Sequence, residues 1–248
     1  MNIGACDVLR EANEFTNSNS GSRSRRFTSC TRTARSLEYW VRTDSLRDEY
    51  RKQMNLNDFL FWYLSETSRI RLAKHCRDDH FQISSWDGSL RDDGSVSDKI
   101  SSIMLWGAPG RIVLKSHFDL ATAKQWAARS AGKLVDEIQE TFAVDFMREF
   151  SNLHAGSLRG QLEAHGLLFG ISLPFIMAGN SERTLRELAG AKTATRGWVL
   201  TDGSHQIVCT AELEIADSKR LERVRGALQT AVAGETAAPA DDGEIQFL

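Results

Sequence analysis

Glu149 and Asn152 stand one helical turn apart in a stretch whose hydrophobic periodicity predicts a long helix. At about 100° per residue, the opposite side of that helix carries a mainly apolar stripe: Ala143, Met147, Phe150, His154 and Leu158. Glu149 and Asn152 are therefore predicted to point away from the core. A carboxylate there suits pairing with a cation, and a carboxamide suits orienting a water, because it accepts and donates without titrating. By spacing alone, the same pattern also fits an ordinary solvated helix face.

Two further residues extend this side of the helix. Gly156 lies one turn after Asn152, and a glycine inside a helix costs about 1 kcal/mol relative to alanine, so its presence calls for a reason. The bare surface that it leaves lets a partner's backbone approach closely. Asp145 lies one turn before Glu149. It suits biasing the electrostatic field of a docking surface, and it equally suits a capping or solubility role.

The elements that must hold this helix in place are other helices and antiparallel hairpins. Asn57 or Asp58 is predicted to cap a helix that runs to about residue 76, and Asp119 one that runs to about 129. Two more helices are predicted over 134–164 and 218–233, and strands near 81–83 and over 100–106, 111–116, 167–173, 197–201 and 206–215. The predicted fold class is α/β in the α+β sense, a single domain of antiparallel hairpins packed with long helices.

Composition divides the chain into three parts. Residues 1–52 form an N-terminal extension, predicted to be largely disordered because residues 15–36 are mostly Ser, Thr, Asn and Arg, with a short helix near 37–52. Residues 53–233 hold the folded domain. Residues 234–248 form an acidic tail with four acids and no base, whose apolar tip suits either a short docking peptide or a frayed end.

The two candidates belong to a longer motif. Over 145–179 the chain reads D-x3-E-x2-N-x3-G and then, from residue 161, QLEAHGLLFGISLPFIMAG. This string closely resembles the CheC/CheX/FliY family of chemotaxis phosphatases, the CheX branch in particular. Members show an acid or Ser, then Glu, then Asn, then a Pro about two dozen residues later, which here are Asp145, Glu149, Asn152 and Pro174. The resemblance covers about residues 53–216 and is specific over 145–179.

The resemblance implies a CheX/CheC-like domain that hydrolyses the phosphoaspartate of a CheY-like receiver-domain response regulator. In such a protein the helix docks on the regulator, Glu149 pairs with the regulator's lysine, Asn152 aims a water at phosphorus, and Asp145 and Gly156 belong to the docking surface. The Mg²⁺ is carried by the regulator, so no cofactor is expected on this chain. Family members pair through sheet edges, which implies a homodimer. The alternative is a non-catalytic adaptor of the same fold that binds a response regulator or a flagellar-switch partner.

Two positions depart from the family pattern. His154 stands where the family has an apolar residue, and because the helical wheel puts it on the buried side, a hydrogen-bonded core histidine is predicted. CheC-type relatives carry a second Glu/Asn pair on an earlier helix, whereas here Glu66 is followed three residues later by Arg69. One site per chain is therefore predicted.

Other kinds of chemistry find little support in the sequence. The formal net charge of −2 argues against nucleic-acid binding. The sequence contains no uninterrupted run of about 18 apolar residues, so no transmembrane helix is predicted. His75, Cys76 and His80 lie close together, but nothing elsewhere completes a ligand set, so no bound metal is predicted. The four cysteines form no Cys-x-x-Cys pair, which is typical of a reduced, cytoplasmic protein.

Overall fold

A computed structural model of the chain describes residues 54–89, 96–181 and 193–237. Within this part, one hydrophobic core joins a layer of helices to one face of an antiparallel sheet. The predicted N-terminal extension with its short helix, and the acidic tail beyond residue 237, lie outside the described residues. The domain boundaries at 53 and 233 therefore stay predictions.

The described residues form one sheet of seven strands. These are β1 (Gln82–Ser85), β2 (Lys99–Gly107), β3 (Gly110–Phe118), β4 (Gly170–Ile171), β5 (Phe175–Ala178), β6 (Ala194–Thr201) and β7 (Gln206–Ile215). Their order is β1-β6-β7-β3-β2, after which β4 and β5 both pair with β2 along one edge. The predicted hairpins are β2–β3 and β6–β7. Every pairing is antiparallel, which confirms the predicted α+β class.

Four α-helices complete the described fold: α1 (Leu56–Cys76), α2 (Leu120–Ala131), α3 (Glu140–Ala164) and α4 (Ser218–Ala237). The helix α3 packs against α1, α2 and β2, while α4 packs against α1. Strands contribute alternate residues to the core, and on β7 these include Cys209, Ala211 and Leu213. This alternation confirms the predicted burial of one face. The helix α4 continues to Ala237 rather than ending near residue 233.

Two helix starts differ in detail from the prediction. The N-cap of α1 is Asn55, whose side chain accepts from the backbone N–H of Asp58 at 2.9 Å, so Asn57 and Asp58 both lie inside the helix. Asp119 precedes α2 as predicted, but its carboxylate accepts from the backbone N–H of Asp98 at 3.3 Å instead of capping its own helix. The backbone N–H of Asp98 competes with the N–H groups of α2 for this carboxylate. Because Asp98 lies 21 residues away in the chain, the local sequence does not predict the contact.

The long helix begins at Glu140 and not near residue 134 as predicted. Val135–Glu137 form a separate 3-10 turn, in which the Glu137 carboxylate accepts from the backbone N–H of Leu134 at 2.8 Å. Ile138 follows with an extended backbone (φ −87°, ψ 111°) and is only 3% exposed. Because this extended residue places its side chain in the core, α3 starts only after it.

The strand predicted over 167–173 is shorter and interrupted. Only Gly170–Ile171 pairs with β2 as β4, and the N–H of Ser172 then donates to the carbonyl of Met104 at 2.9 Å. Pro174 has no N–H to donate, so regular pairing stops there. Pairing with β2 resumes as β5, which the sequence analysis did not predict.

Candidate functional site

The helix α3 has a buried side and an exposed side, arranged as the periodicity predicted. Every member of the predicted stripe is at most 4% exposed: Ala143, Met147, Phe150, His154 and Leu158. On the other side Asp145, Asn152 and Gly156 are exposed and Glu149 is partly exposed. The packing of α3 against α1, α2 and β2 thus turns Glu149 and Asn152, called the site pair below, toward the outside.

The site pair holds its two polar groups side by side. Nδ2 of Asn152 lies 3.5 Å from Oε2 of Glu149, at the outer limit of a hydrogen bond. Among the described residues, no Lys, Arg or His forms an ion pair with Glu149. The carboxylate is therefore available to a cation from another molecule. With Nδ2 facing the carboxylate, Oδ1 of Asn152 is the atom left to accept a hydrogen bond from outside.

Asp145 is engaged within its own helix. Its Oδ1 accepts from Nη1 of Arg148 at 2.5 Å, and the two side chains are 60% and 45% exposed. Such an exposed pair contributes at most about 1 kcal/mol, so a partner opens it at little cost. The N-cap of α3 is Gln139, which places Asp145 in the second turn and excludes the capping role. Docking and solubility remain as its two candidate roles.

Gly156 leaves open surface beside the site pair. A Cβ atom at this position would meet no atom within 4 Å, and the same holds for Gly160. The packing of the described chain therefore does not require glycine at 156, and alanine would favour the helix by about 1 kcal/mol. The described fold gives no reason for a glycine at position 156, whereas close approach by another molecule would give one.

Polar contacts anchor the buried side of α3. Oγ of Ser151 lies 2.8 Å from Oγ of Ser101 on β2, and Nε2 of His154 lies 3.1 Å from Oγ1 of Thr67 on α1. The prediction of a hydrogen-bonded core histidine is confirmed. Burial, with a smaller effect from the charge of Arg71, lowers the pKa of His154 to about 3. The imidazole is therefore neutral near pH 7.

His75 makes a third polar contact with α3. Its Nε2 donates to the carbonyl of Phe146 at 3.0 Å, and burial lowers its pKa to about 4. The ring of His75 is 1% exposed, whereas the side chain of His80 is 90% exposed and lies 2.7 Å from Asp78. Cys76 is buried as a free thiol. In the part of the chain that the structure describes, no three potential metal ligands come together.

The partners of these buried histidines were missed in the sequence analysis. His154 and Thr67 are 87 residues apart, and His75 and the Phe146 carbonyl are 71 apart. The only local signal was a polar residue on an apolar stripe. It indicates that a partner is needed but does not identify it.

The sheet edge beside α3 carries exposed apolar side chains that the sequence analysis also missed. Leu173 is 86% exposed, Phe175 49% and Trp106 45%. Pro174, a position of the resemblance motif, lies between β4 and β5, which both contact α3. None of the helices in the described ranges is both long and apolar enough to cross a membrane.

Comparison with solved structures returns chemotaxis proteins. A CheC-like superfamily protein from Shewanella sp. PV-4 gives a TM-score of 0.47 at 15% identity, covering 65% of this chain and 99% of that one. CheX from Vibrio vulnificus gives a TM-score of 0.47 at 15% identity, covering 65% and 100%. The CheX–CheY–BeF3–Mg²⁺ complex from Borrelia burgdorferi gives a TM-score of 0.45 at 16% identity, covering 63% and 97%.

The structural neighbours are thus CheC- and CheX-like chemotaxis proteins, the proteins that the motif resembles. Identities of 16% or less describe a likeness of fold and say nothing about activity. No protein-family model and no curated protein matches the chain.

Proposed function

We propose that this chain is a phosphatase for the phosphoaspartate of a CheY-like receiver-domain response regulator, with Glu149 and Asn152 as its catalytic residues. One observation carries the proposal. A carboxylate without a described ion-pair partner and a carboxamide lie 3.5 Å apart on the exposed side of α3. The resemblance of the surrounding motif to chemotaxis phosphatases supplies the substrate class.

In the proposed reaction Asn152 orients the attacking water. The water oxygen bonds to phosphorus, the bond between phosphorus and the aspartyl oxygen breaks, and the products are the free aspartate carboxylate and inorganic phosphate, which keeps the hydrogens of the water until it exchanges them with solvent. Catalysis of phosphoryl transfer rests mainly on positioning and charge stabilisation, so a residue that only orients water contributes substantially. Oδ1 of Asn152 accepts a hydrogen bond from the water, which turns a lone pair of the water oxygen toward phosphorus. Because a carboxamide does not titrate, Asn152 can orient the water over a wide pH range.

Glu149 fixes the docked position. Its carboxylate pairs with the lysine of the receiver's active site and gives up the long contact with Asn152, and opposite charges set the register of the complex. Asp145 and Gly156 belong to the same docking surface. The carboxylate of Asp145 leaves its exposed ion pair with Arg148 to face the receiver. Gly156 lets the receiver's backbone come close to the helix. In this proposal Mg²⁺ is held by the receiver and by no residue of this chain.

The test is a single-turnover time course with CheY-type receiver domains phosphorylated by acetyl phosphate in the presence of Mg²⁺. The wild-type chain is expected to speed loss of the phosphoryl group at least about tenfold over the receiver's own rate, and Asn152→Ala to remove the acceleration. Receiver binding is measured beside it. A chain that binds receivers but accelerates none of them overturns the phosphatase and favours the adaptor, a non-catalytic partner of a response regulator or flagellar switch.

We also propose a homodimer formed through the β4–β5 edge. In the described sheet no strand lies beyond β4 and β5, and Leu173 and Phe175 are 86% and 49% exposed there. Open edges with apolar side chains favour pairing with another strand. Light scattering is expected to give twice the mass of the chain, and Phe175→Lys to give monomers. Monomers of the wild-type chain at every concentration would contradict the dimer.

The proposed substrate places the chain in the cytoplasm, where receiver domains are phosphorylated. Cys76 and Cys209 are buried free thiols, and burial raises the pKa of each, so neither calls for an oxidising compartment. Cell fractionation is expected to recover the tagged chain with cytoplasmic proteins.

A further inference from the structure

Two buried histidines connect α3 to α1, one before and one after the site pair along the helix. His75, near the end of α1, reaches the carbonyl of Phe146 with Nε2 at 3.0 Å, and their rings stack with centroids 4.0 Å apart. His154 of α3 lies with Nε2 3.1 Å from Oγ1 of Thr67 on α1. His75, Thr67 and His154 are each at most 4% exposed. Phe146 and His154 bracket the site pair, which points the other way.

The direction of the contact between His154 and Thr67 follows from the hydroxyl group. Oγ1 of Thr67 lies 2.9 Å from the carbonyl of Tyr63 and 3.1 Å from that of Leu64. A carbonyl only accepts, so the single hydroxyl hydrogen is donated to the main chain. The lone pair of Oγ1 is then left to accept from Nε2–H of His154, which assigns the neutral tautomer with hydrogen on Nε2, and the carbonyl of Leu64 is a second acceptor beside the same ring.

The contact of His75 has the same character. The carbonyl of Phe146 only accepts, so Nε2 of His75 carries the hydrogen. Both contacts are therefore directional hydrogen bonds between buried groups, whereas an apolar contact would let the two helices slide past each other. Each connects a particular residue of α1 to a particular turn of α3, so together they define both the rotation and the axial position of that helix.

We infer that His154 with Thr67, and His75 with the Phe146 carbonyl, act as positioning residues that hold α3 in the one register at which the site pair meets its substrate. The inference rests on the proposed function. A rotation of α3 by about 20° moves a group at the helix surface by roughly 2 Å, given a helix radius of about 5–6 Å with side chains. An error of about 1 Å already slows a positioned reaction strongly, up to a hundredfold.

Three substitutions test the contact between His154 and Thr67. His154→Leu keeps an apolar side chain but removes the donor, His154→Gln keeps an N–H near the place of Nε2, and Thr67→Val removes the acceptor with little change of volume. The matched control is His117→Leu, because Nε2 of His117 lies 2.9 Å from Oγ1 of Thr210 in an equally buried pair between β3 and β7.

The first readout separates rate from binding with a CheY-type receiver phosphorylated by acetyl phosphate. His154→Leu and Thr67→Val are expected to lower the rate at saturating chain about tenfold, while the half-saturating concentration changes less than about twofold, since a displaced water-orienting group acts in the transition state. His154→Gln is expected to regain most of the rate. His117→Leu is expected to lower the melting temperature but to keep the full rate per folded molecule. Equal rate losses at His154 and His117 would show a merely structural role and overturn the inference.

The second readout needs no activity. Amide hydrogen exchange of the free chain is expected to lose protection around residues 146–154 in His154→Leu and Thr67→Val, and not in His117→Leu beyond its global loss. A wild-type chain without phosphatase activity overturns the proposed function, and exchange alone then decides whether the contacts hold α3. An active wild type whose variants keep both full rate and full protection overturns the positioning role. If His154→Leu does not fold, Thr67→Val gives the same decision.

Discussion

The helices α1 and α3 each carry a glutamate followed three residues later by a polar residue, and the two pairs differ in what they leave unsatisfied. On α1, Oε2 of Glu66 and Nε of Arg69 form an ion pair at 3.1 Å. On α3, Glu149 faces the neutral amide of Asn152 at 3.5 Å. Glu66 forms an ion pair within its own helix, whereas Glu149 has no ion-pair partner among the described residues.

The surroundings of the two pairs differ as well. In α1, 14 of 21 residues are buried, against 9 of 25 in α3, because α1 lies against α2, α3 and α4. The side chains of Glu66 and Arg69 are 21% and 23% exposed. Glu149 is likewise partly exposed, so the difference lies in the second residue, because Asn152 is exposed and Arg69 is not. The comparison teaches that a Glu-x-x-polar step becomes a candidate site only where packing exposes it and the chain itself does not neutralise it.

Asn152→Arg would copy the α1 arrangement onto α3 and is expected to have the largest effect. The introduced guanidinium pairs with Glu149, which removes the water-orienting amide and the lysine's partner together. The dephosphorylation rate is expected to fall at least about a hundredfold, to the receiver's own rate. A thermal melt is expected to show an intact fold, since an i,i+3 ion pair adds about 0.2–0.5 kcal/mol. Retained activity would contradict the assignment of the site pair.

Glu149→Ala and Glu66→Ala compare the two carboxylates directly. Glu149→Ala is expected to raise the chain concentration for half-saturation about tenfold and to lower the rate, because the lysine contact serves docking and register. Glu66→Ala is expected to keep activity within about twofold and to cost about 1 kcal/mol of stability, because its ion pair with Arg69 is partly buried but lies within one helix. Titration of single-turnover rates against the concentration of the chain measures both. Equal effects of the two substitutions would remove the distinction between the helices.

Local periodicity was enough to predict which side of α3 is buried. The stripe at Ala143, Met147, Phe150 and Leu158 repeats every three or four residues, and burial of such a stripe follows from the helix geometry alone. The same holds for the two hairpins, whose turn residues and alternating strands are local signals.

Other features depend on contacts between distant residues and could not be predicted in this way. Asp119 gives up its capping bond for the N–H of Asp98, and Ile138 ends a helical pattern by entering the core. The different extent to which α1 and α3 are buried is equally a matter of packing between distant residues, whereas the pairing of Glu66 with Arg69 is a local feature that the sequence already shows. Tertiary packing decides such cases over local propensity.

Gly156→Ala sharpens the comparison at the next turn of each helix. The position that corresponds to Gly156 on α1 is Ala73, which is 4% exposed, whereas a Cβ at 156 would meet nothing within 4 Å. Gly156→Ala is expected to raise the free energy of unfolding by about 0.5–1 kcal/mol and to weaken receiver binding about threefold, through a methyl group on the docking surface. The control is Gly226→Ala on α4, which is equally open and is expected to stabilise without changing activity. Unchanged binding in Gly156→Ala would exclude close approach there.

Arg69→Asn is expected to have the smallest effect, although it gives α1 the Glu-x-x-Asn spacing. The substitution frees the carboxylate of Glu66, at a cost below about 1 kcal/mol for a partly exposed ion pair. It does not change the packing of α1 against the other helices, which leaves less exposed surface around this pair than α3 offers around Asn152. Single-turnover dephosphorylation is therefore expected to stay within about twofold of the wild type, and Arg69→Asn combined with Asn152→Ala to be as inactive as Asn152→Ala alone. Activity in that double variant would mean that residue spacing, and not exposure, makes the site.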